Sequence, residues 1–90
     1  MVTPLPKWLF VRYAKLWAEK ENREFTFDEA RRLLREKNDK TLSVILSELR
    51  KHGWLETLLD AKDARKRSYH LRSPQDIIEE IAFQDSEQSA

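Results

Sequence analysis

Ninety residues with no cysteine and one glycine, Gly53, allow a single domain and exclude a disulfide staple, a thiolate metal site and a glycine-rich phosphate cradle. At 37% charged and 40% hydrophobic residues the composition is that of a helix-rich folded chain, not a disordered one. The net charge of +1 gives no overall attraction to nucleic acid, so any such partner must be met by a local field.

The spacing predicts a first helix from about Pro6 to Lys20, with the prolines at positions 4 and 6 suited to its entry. Leu9, Tyr13, Leu16 and Trp17 form one apolar stripe. Trp8, Val11 and Ala18 lie on another side, with Lys15 among them, and Phe10 and Ala14 lie between. A helix apolar nearly all round exceeds what one small core can use. It is either a dimer interface built on Trp8, Val11, Lys15 and Ala18, or part of a thick core capped by the last helix. A helix lying in a membrane surface is disfavoured because the rest of the chain reads as a compact fold. The opening run is cut by Arg12 and Lys15, unlike a signal peptide, and no stretch has transmembrane length. The expected location is cytoplasmic, with no membrane partner.

A polar turn, EKENRE, leads to Phe25, a candidate minimal strand. Thr26 and Glu29 have capping-box spacing and open a second helix to about Arg35, with Phe27, Ala30, Leu33 and Leu34 inward. Asn38 or Asp39 caps a third helix to about His52, with Leu42, Leu46 and Leu49 as its core stripe and Ile45 at the edge. Gly53 stops it. Trp54 to Leu59 favours a strand, Lys62 to Lys66 a tip, and Ser68 to Arg72 a return strand with Tyr69 and Leu71 on one face. Ser73-Pro74 starts a last helix to about Phe83, with Ile77, Ile78, Ile81 and Ala82 apolar. The expected fold is mostly α with a small β-hairpin: a three-helix core, a two-stranded wing and an extra C-terminal helix. The domain spans 1–83, followed by a disordered acidic tail, 84–90.

Enzyme motifs are absent from this reading, and no cofactor or metal is expected. His52 and His70 lack metal-ligand spacing. His52 reads as a polar cap and His70 as a solvent-side strand residue. The pairs Asp28/Glu29 and Glu79/Glu80 suit helix dipole and solvation better than acid–base work.

Charge is distributed unevenly. Residues 1–36 hold 8 basic and 6 acidic groups, residues 37–72 hold 9 and 5, and residues 73–90 hold none and 5. The positive excess falls on the third helix and the hairpin. The polar side of that helix shows Lys40, Thr41, Ser43, Val44, Ser47 and Lys51. Lysine and the hydroxyls can bond base edges or phosphate, and Val44 can touch a thymine methyl. For any one of these residues a solvated face is as good a reading; their grouping favours contact. Lys62, Arg65, Lys66, Arg67 and Arg72 are the cations of the hairpin and would position the protein on phosphates. Asp63 is placed to shape the tip by pairing with Arg65 or Arg67.

FTFDEARRLL, KTLSVILSELRKHGWLE and DARKRSYHLRSP together resemble the winged helix-turn-helix family. The RKRSYHLRSP run is similar to wings of the multiple-antibiotic-resistance and phenolic-acid-decarboxylase types of regulator, which points to a small prokaryotic or archaeal protein. Many Lys, Arg and Glu with few Asn, Gln and Cys would suit a thermophile. The resemblance implies sequence-specific binding of double-stranded DNA by a small transcriptional regulator, with the third helix in the major groove and the basic wing on the backbone or minor groove. It also implies a homodimer whose recognition helices stand ~34 Å apart. The chain departs from larger members in lacking a long dimerisation helix or a ligand domain, so no small-molecule effector is evident. The alternative is a winged-helix protein–protein interaction module, assembly-related or antitoxin-like; RNA binding is a third reading.

Overall fold

Pro6, in an extended conformation, precedes α1 (Lys7–Lys20) in the computed structural model, which describes residues 2–59 and 67–88. A two-residue strand, β1 (Phe25–Thr26), leads into α2 (Phe27–Leu34) and then α3 (Asp39–Lys51). The hairpin strands are β2 (Leu55–Leu59) and β3 (Arg67–Leu71), and α4 (Pro74–Gln88) closes the chain. β1 pairs with β3, placing Phe25 opposite Tyr69, so the wing belongs to a three-stranded antiparallel sheet in the order β1-β3-β2. The minimal strand expected at Phe25 is therefore the outer rung of that sheet.

Local sequence signals set the helix ends. The Thr26 hydroxyl accepts from the Glu29 amide at 3.2 Å, and the Glu29 carboxylate accepts from the Thr26 amide at 3.3 Å. Asn38, rather than Asp39, caps α3: its side-chain oxygen accepts from the amides of Lys40 and Thr41. Gly53 adopts φ 84° just past α3, with the Trp54 amide bonded to the Leu49 carbonyl and the Gly53 amide to that of Arg50, a Schellman ending. Ser73 accepts from the Asp76 amide and opens α4. Arg35 ends α2 in the left-handed region, at φ 53°, without being glycine.

The core gathers Leu9, Tyr13 and Leu16 of α1, Ala30 and Leu34 of α2, Leu42, Ile45, Leu46 and Leu49 of α3, Phe25, Leu55 and Leu71 of the sheet, and Ile77 of α4. Two expectations need correction. Ile45 is 2% exposed, a core residue rather than an edge one, because α1 and the sheet enclose α3 over a wider arc than a leucine stripe alone requires. Helix α4 continues to Gln88, past Phe83; QDSEQ has neither Gly nor Pro to stop it. The last helix does cap the core in part, as one of the two readings of α1 expected. Among the described residues, α4 packs against the core through Ile77 and Ile81, leaving Ile78 64% and Phe83 63% exposed.

The segment before α1 joins the core unexpectedly. Val2 is buried, the Thr3 amide donates to the His52 carbonyl, and the Trp54 indole donates to the Thr3 carbonyl at 2.7 Å. Trp54 packs edge-on against Tyr13, with ring centres 4.8 Å apart. The Tyr13 hydroxyl donates to the Arg72 carbonyl at 2.7 Å, and burial pushes its phenol pKa up.

Candidate nucleic-acid interface

Helices α2 and α3 are locked at their junction by Arg31. Its guanidinium meets Asp28 at 2.8 Å and Asp39 at 2.9 Å, and it also lies 5.4 Å from the centre of the Phe27 ring. The carboxylate of Asp39, at the first turn of α3, is thereby neutralised from within the protein. This removes a repulsion that an anionic ligand approaching the helix would otherwise meet. Lys20 of α1 pairs with Glu29 of α2, fixing the other end of the motif.

With its leucines and Ile45 buried, α3 turns Lys40, Thr41, Ser43, Val44, Ser47 and Lys51 to solvent. Val44 is 54% exposed, and Lys51 reaches back to Glu48 at 3.4 Å. All six expected helix residues thus lie on an open surface. The sheet supplies the opposite wall. Leu71, Tyr69 and Arg67 alternate along β3 and share one face. Leu71 meets the core, Tyr69 stands at its margin, and Arg67 projects beyond it, exposed. A groove of about 270 Å³ runs between helix and sheet. Ser43, Ser47 and Arg50 line its helix side, Thr57, Arg67 and Tyr69 its sheet side, and Phe27 and Leu46 complete it.

The structure brings Ser43, Ser47 and Arg67 together and sets Arg72 apart. The Arg72 guanidinium is bound to Glu80 of α4 at 2.7 Å and donates to the Gly53 carbonyl, so it serves the seam between the sheet and α4. Lys62, Arg65 and Lys66, and the expected pairing of Asp63, lie outside the described residues. His52 is the cap residue of α3, with Nδ1 against the Thr3 hydroxyl. His70 pairs across the ladder with Glu56 at 2.9 Å. Arg50 escaped the sequence reading. It shares a stripe with Ser43 and Ser47 at spacings of seven and three, but only the position of the sheet reveals that this flank of α3 faces the wing.

On α1, Trp8 is 48% and Val11 37% exposed, and Lys15 and Ala18 are exposed as well. Beside them an almost wholly apolar groove of about 330 Å³ is lined by Phe10, Ala14, Trp17, Trp54 and Ile78 among others. Among the described residues no helix is long and apolar enough to cross a membrane, and no acidic, histidine or cysteine cluster could hold a metal ion.

No protein-family model and no curated protein matches the chain. Solved structures do. A variant of S. aureus MepR bound to an oligodeoxyribonucleotide superposes with a TM-score of 0.63 at 19% identity, over 94% of this chain and 62% of that one. Bordetella bronchiseptica BpsR, whose DNA binding is regulated by 6-hydroxynicotinic acid, gives 0.64 at 19% identity, over 98% and 68%. Reduced AbfR bound to DNA gives 0.59 at 19% identity, over 94% and 70%. This chain thus spans about six-tenths of the length of the MepR structure. At such identities the likeness speaks to architecture, and together with the α2–α3 pair and the sheet it shows that the chain has the winged helix-turn-helix fold.

Proposed function

We propose that the chain binds double-stranded DNA and acts as a small transcriptional regulator. One observation carries the reading: the open side of α3 and the base of the basic hairpin face a common groove, through Ser43, Ser47 and Arg67. Two of the structural neighbours, the MepR variant and AbfR, are DNA-bound, which supports it. Helix α3 enters the major groove with Lys40, Thr41, Ser43, Val44, Ser47 and Lys51. The wing follows the backbone or minor groove with Arg67 and the tip cations Lys62, Arg65 and Lys66. Arg72 drops out of the contact set because Glu80 holds it. The exposed strip of Trp8, Val11, Lys15 and Ala18 joins two copies, setting two α3 helices on a near-palindrome.

Selection of bound duplexes from a random library, followed by titration of the best at rising salt, tests this. The expected result is an enriched near-palindrome whose binding weakens steeply with salt. Absence of duplex binding at low salt overturns it. A second reading, a protein-docking module, is favoured by the apolar groove beside α1 and the exposed Ile78 and Phe83. A stable protein partner together with no DNA affinity would select it.

A further inference from the structure

Arg50 and Arg67 stand on opposite walls where helix and wing converge. Both line the groove that holds Ser43 and Ser47. Both also line a second, adjoining hollow together with Leu55, Glu56 and Thr57. Thr57 is common to the two hollows as well, so Arg50, Arg67 and Thr57 frame the junction. Both arginines are exposed. The carboxylates near Arg50 are engaged elsewhere: Glu48 with Lys51 and His52, and Glu56 with His70 at 2.9 Å. Glu56 lines only the second hollow, which leaves the Ser47 side as the seat for an anion.

We propose that Arg50 and Arg67 clamp a single backbone phosphodiester of bound duplex DNA between helix and wing, with the Thr57 hydroxyl as a supporting donor. The proposal rests on the DNA-binding reading above and adds a residue and a role to it. A phosphodiester offers two charged non-bridging oxygens, and guanidinium forks arriving from two sides satisfy both. The position of Arg50 suits this role. It lies in the last turn of α3, whereas base edges are met by the earlier turns of a recognition helix. A helix lying in the major groove meets the backbone at the groove wall, and here the wing base stands at that wall too. The clamp therefore fixes how deeply α3 sits and in what register, without reading sequence.

The test uses the full chain, Arg50→Gln, Arg67→Gln and the double variant. Binding to a mixed-sequence duplex is followed by fluorescence anisotropy between about 50 and 200 mM salt. Each single variant is expected to weaken binding about ten-fold on every sequence, as loss of a charge-assisted hydrogen bond does. Its thermal midpoint should stay that of the parent chain. With one phosphate shared by two arginines, the slope of log affinity against log salt changes little in either single variant. In the double variant it falls by about 0.9. A fall of about 1.8 means two separate phosphates and overturns the clamp. So does a parent chain that binds DNA while Arg50→Gln binds equally well, which leaves the regulator reading standing. A parent chain with no duplex affinity at all overturns both.

Discussion

Arg67 and Arg72 sit five residues apart on one hairpin, yet their surroundings give them different work. Arg72 bridges to Glu80 with both side chains roughly one-third exposed, so the pair is screened and contributes no more than about 1 kcal/mol. Arg72→Ala is expected to lower Tm by roughly 5 °C while leaving DNA affinity unchanged. Arg67→Ala should do the reverse, keeping Tm and weakening all duplexes alike. Paired thermal melts and anisotropy titrations read both. Loss of DNA binding by a folded Arg72→Ala would contradict the assignment. Glu29 provides a pH signature. The hydrogen bond from Lys20, followed by that from the Thr26 amide, holds its carboxyl below the usual 4.5. A carboxyl depressed on folding stabilises the fold fully above its unfolded value, and that contribution is lost as pH falls through the lower folded value. Glu29→Gln should therefore narrow the difference in urea midpoint between neutral pH and about pH 3. An unchanged pH profile would show that Glu29 plays no part in acid sensitivity.

Helix α3 depends on its first turn, since the amides there have no partner inside the helix. Asn38 supplies one, accepting from Lys40 and Thr41 at 2.9 and 3.3 Å. Asn38→Ala should cost about 1 kcal/mol, read as a shift in urea midpoint at constant slope. Because Arg31 also ties Asp39 to α2, the helix should loosen at its start rather than come away. Such an element could be recognised from neighbouring residues alone. The capping box of Thr26 and Glu29 and the Gly53 ending close over a few residues and are carried by the sequence on its face, whereas the α3 cap is narrowed there only to Asn38 or Asp39. Arg50 illustrates the opposite case. Its spacing with Ser43 and Ser47 is visible in the chain, but which flank of α3 the hairpin approaches depends on how the sheet packs across residues far apart in sequence.

Among the described residues the apolar surface divides between an enclosed centre and a strip on α1 that stays open. Trp8 and Val11 are exposed, while α4 packs on the core through Ile77 and Ile81. If that strip joins two copies, Val11→Asp should convert a dimer to a monomer by sedimentation. It should also reduce affinity for a two-half-site duplex far more than for one half-site. A monomeric parent chain would rule the interface out. The amino-acid sequence by itself determined the order of helices and hairpin, their caps, and the burial of Leu42, Leu46 and Leu49, because periodicity and short-range hydrogen bonding act between residues a turn or two apart. Only the tertiary structure decided that Phe25 completes a three-stranded sheet, that Glu80 claims Arg72, and that Arg50 and Arg67 line one groove. Those outcomes depend on which distant surfaces meet, and many pairings of side chains are compatible with one hydrophobic pattern until packing selects among them.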